Sequence, residues 1–278
     1  MAFALRVPMK SSEFSESSAA VSKGDVIVPN GTPDGTPDDV PERVPDGRLT
    51  IAPTRSRCSP VLTPLAYFLG QHLVVPAYFG PITITGQQHL PATGPVILAP
   101  THRARWDSIL LPFAAGRLVT GRDLRFMVTA DEVRGLQGWF IRRLGGFAVN
   151  VRRPTVASLR YGIELLLEGE MLVIYPEGGI RREDRIHGLK PGLARLAVQA
   201  EAARSGLGLQ VLPVDISYGE TYPGWRCPAQ VHIGEPLLVQ VYLNGEDSPE
   251  ALKAGAKQLT RDLQARLEAM VAHRQAAV

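Results

Sequence analysis

The sequence predicts an α/β fold: a mixed, largely parallel central sheet flanked by helices, preceded by an N-terminal apolar helical segment. Three observations carry this expectation. From residue 82 onward, short β-branched runs alternate with longer stretches of helical periodicity, the pattern of a sheet wound with crossover helices. Before that alternation, Cys58 to Thr101 contains no Asp, Glu, Lys or Arg. Before that again, residues 1–57 are rich in Ser, Pro, Gly and Asp and repeat Gly-Thr-Pro-Asp at 31–34 and 35–38. Such a segment buries too little apolar area to offset its chain entropy, so it is expected to be disordered. The 278 residues are 45% hydrophobic and 21% charged, enough for one large α/β domain or two small ones.

In chain order, Met1–Pro8 lacks the long apolar core of a signal peptide. Val61–Phe79 is strongly apolar, and its 19 residues just meet the length of a spanning helix. Pro64, Gly70, Gln71, His72 and Pro76 argue against spanning. The 58–80 segment is therefore either an interfacial helix with Tyr67, Phe68, Tyr78 and Phe79 at headgroup level or a helix packed on the core. The domain proper is expected at 81–278. Its strands are read at Ile82–Thr85, Val96–Ala99, Arg125–Thr129, Phe147–Val151, Met171–Tyr175, Val211–Ile216 and Gln230–Ile233. Helices are expected at about 108–118, 132–143, 155–168, 192–205 and 249–273. Asp107 and Asp131 suit N-caps, and Pro154 and Pro191 suit helix starts. In the last helix, Leu252, Leu259, Leu263, Leu267 and Met270 form one face for the core.

The net charge of +3 is unevenly spread. Residues 100–153 hold ten arginines against four carboxylates, a basic band that suits an anionic substrate or membrane surface, or is a solvated face. The arginines lie among apolar runs without a nucleic-acid-binding module, so nucleic acid is not an expected partner. Cys58 and Cys227 stand alone, and the six histidines are dispersed. No disulfide framework and no metal site are expected, which fits a reducing compartment.

Chemistry is concentrated in four stretches. Thr101-His102-Arg103-Ala104-Arg105-Trp106-Asp107 lies between a buried strand and a helix, where α/β proteins place their sites. On one continuous helix, His102 and Asp107 would point roughly 140° apart. They meet if His102 sits in the turn and Asp107 caps the helix. Such a pair is either a surface hydrogen bond or an oriented general base; Arg103 and Arg105 are expected to meet solvent first, with the anionic bilayer or substrate as the alternative. Tyr175-Pro176-Glu177-Gly178-Gly179, with Arg181, Arg182 and Arg185, is a strand end with a glycine turn and guanidinium groups. It reads as a phosphate or carboxylate receptor, or as an ordinary charged loop. Leu144–Pro154 delivers Arg152 and Arg153 at a strand's carboxyl end, and Val211–Ile216 is a buried strand interrupted by Pro213 that shapes a pocket wall. No Gly-x-Ser-x-Gly elbow is present, so a serine hydrolase is not supported.

In order and spacing, these stretches resemble the four blocks of the glycerolipid acyltransferase family, which includes the 1-acyl-glycerol-3-phosphate acyltransferases. His102 and Asp107 match its His-x4-Asp block. Gly146 to Arg152 matches the second block, Tyr175-Pro-Glu-Gly178 with Arg181 the third, and Val211–Ile216 the fourth. Lys190-Pro191-Gly192 looks like the Lys-x-Gly step after the third block. Thr101 stands where Asn is common, Gly179 replaces the usual Thr, and the Arg is displaced by one position.

The resemblance covers about 80–240. It implies transfer of a fatty acyl group from acyl-CoA or acyl-carrier protein to the sn-2 hydroxyl of lysophosphatidic acid, giving phosphatidic acid, with no cofactor. It assigns His102 as base and Asp107 as its support. It assigns Glu177, Gly178, Gly179, Arg181 and Arg152 to the acceptor. It also implies a membrane-associated protein working at the cytoplasmic face. The competing readings are a different lysolipid or alcohol acceptor, and a non-catalytic module binding anionic membranes.

Overall fold

The computed structural model describes residues 56–150, 156–243, 245 and 248–277. The expectations for residues 1–55, Arg152, Arg153 and Pro154 lie outside these. Eight strands are present among the described residues: β1 (Ile82–Thr85), β2 (Val96–Pro100), β3 (Leu124–Thr129), β4 (Gly146–Val149), β5 (Met171–Val173), β6 (Gln210–Tyr218), β7 (Ala229–Ile233) and β8 (Leu237–Leu238). The helices are α1 (Leu62–Leu69), α2 (Val75–Tyr78), α3 (Asp107–Ala115), α4 (Arg117–Thr120), α5 (Gly135–Arg143), α6 (Val156–Leu167), α7 (Gly192–Ala203) and α8 (Pro249–Ala276).

One sheet runs β1-β7-β6-β2-β5-β3-β4, with β8 also on β6. β6, β2, β5, β3 and β4 are mutually parallel, while β7 and β8 pair with β6 antiparallel. The sheet is therefore the mixed, largely parallel one the sequence predicts. From β2 the chain crosses to β3, beyond β5. From β5 it crosses to β6, beyond β2. These neighbouring strands thus send the chain in opposite directions, and a crevice opens past their carboxyl ends.

Alternation along the strands divides the core. Val96 and Leu98 of β2, Met171 and Val173 of β5, and Leu212, Val214 and Ile216 of β6 pack with Leu110, Leu111 and Ala114 of α3. Ile97, Ala99, Leu172 and Val211 face the other way, toward α6, α7 and α8. Both faces are covered, so β2 is buried along its whole length. In α8, Leu259, Leu263 and Leu267 are buried as the periodicity predicts. Ser248 caps its start by accepting from Ala251 N. Arg274 near its end reaches Asp215 Oδ2 (2.7 Å) and Asp184.

Several local expectations change. The helix expected at 108–118 breaks at Gly116, where the backbone is extended. A side chain at Gly116 would collide with the Tyr67 ring. Asp131 lies in a 3-10 turn rather than capping α5, whose N-cap is Arg134. Pro213 does not interrupt β6. It sits between the segment paired with β8 (Gln210–Val211) and the segment paired with β7 (Val214–Tyr218), where a missing N–H costs no ladder bond.

The apolar segment is a bent helical run: α1, a π-helical stretch (Gly70–Val74) and α2. It packs through Val75 and Phe79, both buried, and leaves Leu65, Phe68, Leu69 and Leu73 exposed. Among the described residues, no helix is long and apolar enough to cross a membrane.

Candidate active site

Thr101 fastens the end of β2 to β6. Its N–H donates to Val214 O (2.9 Å), and its hydroxyl donates to Ile216 O (3.2 Å) and accepts from Ile216 N (2.9 Å). The turn that follows brings His102 and Asp107 together: Nδ1 lies 2.8 Å from Oδ2. The same oxygen accepts the backbone N–H groups of Arg103 (2.7 Å) and Ala104 (3.0 Å). Oδ1 accepts the Tyr218 hydroxyl at 2.6 Å. Asp107 therefore does not cap α3. It is the helix's first residue, and its carboxylate folds back onto the turn, while the N-cap position is held by Trp106 without a side-chain bond.

Asp107 is fully buried and the His102 side chain is 18% exposed. With Nδ1 committed to Asp107, Nε2 is the ring nitrogen left to exchange a proton. The Tyr175 ring stacks on the imidazole, with centroids 3.9 Å apart. The Tyr175 hydroxyl is buried without a hydrogen-bond partner among the described residues.

Burial, with the charge of Asp107 second, pushes the Tyr175 and Tyr218 phenols well above their ordinary 10.0. The folded chain therefore holds two protons that the unfolded chain releases above about pH 10. Stability is full below that pH and falls as pH rises, by up to about 1.4 kcal/mol per pH unit for each phenol. Tyr175→Phe is expected to flatten this alkaline decline, as read from urea midpoints across roughly pH 9 to 11.

The second turn follows β5. Glu177 is buried, with Oε1 3.5 Å from Arg103 Nη1 and Oε2 accepting His187 N at 3.3 Å. Arg103 Nη1 also donates to Arg181 O (3.0 Å), and Arg181 N donates to His102 O (2.6 Å). The β2 and β5 turns are thus clamped together directly beside His102. This corrects the expectation that Arg103 meets solvent: it is 5% exposed. Arg105 is exposed and pairs with Glu132.

Gly178 has φ +73°, and a Cβ there would lie 2.7 Å from the Lys190 side chain. Gly178→Ala is expected to cost about 1 kcal/mol or more through the left-handed backbone alone, measurable by urea denaturation. Gly179 needs no such conformation and has open space at its Cα. The Arg181 side chain is exposed and is not among the groups lining the cavity at His102.

That cavity measures about 850 Å³. It runs from His102 and Tyr175 between α1, α3, β3 and α5, over Ala66, Ile109, Phe113, Phe126 and Ile141. Arg105, Lys190 and Arg195 stand on its lining as cations. Val211–Ile216 does not line it, so that strand supports the turns rather than forming a wall. Sequence reasoning missed Tyr218 as the partner of Asp107. The signal lay in strand periodicity, since Leu212, Val214, Ile216 and Tyr218 share the face turned to α3.

Residues 81–217 match the family model described as Acyltransferase. The chain is similar to the 1-acyl-sn-glycerol-3-phosphate acyltransferase of Streptococcus pneumoniae, with 24% identity over 147 residues, 51% of this chain and 49% of that protein. It is similar also to the Bacillus subtilis protein of the same name, with 27% identity over 124 residues, 44% and 59% respectively. The matches thus span about half to three-fifths of these curated relatives' length. The crystal structure of the 1-acyl-sn-glycerophosphate (LPA) acyltransferase PlsC from Thermotoga maritima has the same fold, with a TM-score of 0.57 at 21% identity, covering 77% of this chain and 80% of that one. The matched residues, 81–217, hold both the His102 turn and the Glu177 turn, so the family model and the two curated relatives support the acyltransferase resemblance read from the four stretches.

Proposed function

We propose that the protein transfers a fatty acyl group from a thioester, acyl-CoA or acyl-carrier protein, to the sn-2 hydroxyl of 1-acyl-glycerol-3-phosphate, giving phosphatidic acid. The observation that carries this reading is an imidazole held at Nδ1 by a buried carboxylate, on the lining of a largely apolar cavity of about 850 Å³. Nε2 of His102 takes the proton of the acceptor hydroxyl as its oxygen attacks the thioester carbonyl. An ester C–O bond forms, the C–S bond breaks, and the imidazolium returns the proton to the departing thiolate. Asp107 keeps the ring oriented and supports its transient positive charge.

The cavity between α1, α3 and α5 suits an acyl chain, because its walls are mostly apolar, with Ala66, Ile109, Phe113, Phe126 and Ile141 among them. Lys190, the Gly178–Gly179 backbone, Arg181 and Arg152 are the groups assigned to the acceptor's phosphate. Glu177 acts through Arg103, which leaves no carboxylate facing the phosphate from this position.

Exposed apolar residues flank the cavity on two helices: Leu65, Phe68 and Leu69 on α1, and Leu136, Trp139 and Phe140 on α5. The guanidinium of Arg143 lies over Trp139 at 4.4 Å. Such a lip suits the interface of an anionic bilayer, where lipid substrate and product reside. On this reading the protein works membrane-associated, at the cytoplasmic face.

The test is a transfer assay with labelled acyl-CoA and acyl-carrier protein against lysophosphatidate and glycerol 3-phosphate. Labelled phosphatidate from lysophosphatidate is expected. Transfer to another acceptor with none to lysophosphatidate would overturn the substrate assignment.

A further inference from the structure

We propose that the loop 219–228, joining β6 to β7, is a docking subsite for a nucleotide: a planar base with phosphates, the moiety an acyl-CoA donor carries far from its thioester. The inference rests on the acyl-transfer reading and names the chemistry of the donor's remote end. β6 runs parallel to β2, so this loop emerges at the same end of the sheet, past the strands' carboxyl termini, as the His102 turn. It is firmly held. Gly219 N donates to Pro228 O (2.9 Å), Arg226 N to Tyr78 O (2.8 Å), Gly80 N to Cys227 O (3.1 Å), and the Tyr78 hydroxyl to Pro223 O (3.1 Å). Arg226 has φ +65°, the one non-glycine residue with positive φ among those described, a conformation that costs free energy and persists only where its surroundings enforce it.

This anchored loop turns two large aromatics outward: Tyr222 is 66% exposed and Trp225 70%. Trp225 meets Tyr78 edge-on, with centroids 6.0 Å apart and planes at 85°. Tyr78 in turn stacks on Trp106 at 4.1 Å, and Trp106 adjoins Asp107. The guanidinium of Arg182 lies 4.8 Å over the Tyr222 ring. Arg182 follows Arg181, whose backbone is bonded to His102 and Arg103. Among the described residues, Arg181, Arg182 and Arg226 take part in no ion pair with a carboxylate. The loop's own carboxylate, Glu220, is exposed.

Flat faces beside unneutralised guanidinium groups fit a stacked base and its phosphates. A bilayer is the poorer fit at this place, because exposed aliphatic side chains gather instead on the bent run of α1 and the π-helical stretch, at Leu65, Leu69 and Leu73.

The experiment titrates adenosine 3′,5′-bisphosphate into the full chain by calorimetry, alongside Trp225→Ala and Arg182→Ala. Each substitution is expected to weaken binding about tenfold, the scale of one base–aromatic stack. In parallel, the ratio of KM for acyl-CoA to KM for the acyl thioester of pantetheine is expected to rise about tenfold in Trp225→Ala. Unchanged bisphosphate affinity in both variants overturns the proposal, as does equal loss of activity with both donors. Weakened binding to anionic vesicles with intact bisphosphate affinity also overturns it, and assigns the loop to the membrane. Absence of transfer by the wild-type protein with any donor refutes the acyl-transfer reading and leaves the titration interpretable on its own.

Discussion

Replacing His102 by alanine is expected to lower kcat for acyl transfer by about 10²- to 10⁴-fold, the range of a lost general base. The unfolding midpoint should stay close to that of the wild type. The two outcomes separate because His102 contributes one side-chain hydrogen bond, to Asp107. The bonds that shape the turn run instead from the backbone of Arg103 and Ala104 and from Tyr218 to that same carboxylate. The measurement is steady-state transfer to lysophosphatidate together with thermal unfolding. Activity within a few-fold of wild type would remove His102 from the mechanism.

Glu177→Gln is expected to act in the opposite way, on stability first. Both members of the Arg103–Glu177 pair are buried, at 6% and 0% side-chain exposure. Removing one charge strands the other, at a cost of about 3–5 kcal/mol, which for a chain of this size lowers Tm by roughly 10 °C. Converting both to apolar residues, Arg103→Met with Glu177→Leu, should recover a large share of that loss, since no lone charge then remains buried. Calorimetric Tm values for the three variants test this. An unchanged Tm with weakened acceptor binding in Glu177→Gln would return Glu177 to direct contact with substrate.

What was legible from residues alone follows sequence distance. The strand and helix pattern could be read because burial imposes its period locally: β1 spans Ile82–Thr85 as read, and α7 starts at Gly192 behind Pro191. His102 and Asp107 could be paired because they are five positions apart on either side of one turn. Arg103 looked like one more member of a basic band because its partners, Glu177 and Arg181, come more than seventy residues later. Only the adjacency of β2 and β5 brings them together. Tyr218 was hidden for the same reason, lying 111 residues from Asp107. The capping role expected of Asp107 failed because a carboxylate at a helix start can satisfy the turn before it as readily as the helix after it. β8, two residues long, is too short to leave a periodic signal.

Arg181 is secured by its main chain alone: its N–H and C=O hold the two turns together while its side chain stays in solvent. The clamp is therefore indifferent to which side chain position 181 carries. A substitution there leaves the main-chain bonds beside the imidazole in place. Position 181 is in this sense divided: its main chain fixes the geometry beside His102, its side chain is free of that duty, and the boundary falls within a single residue.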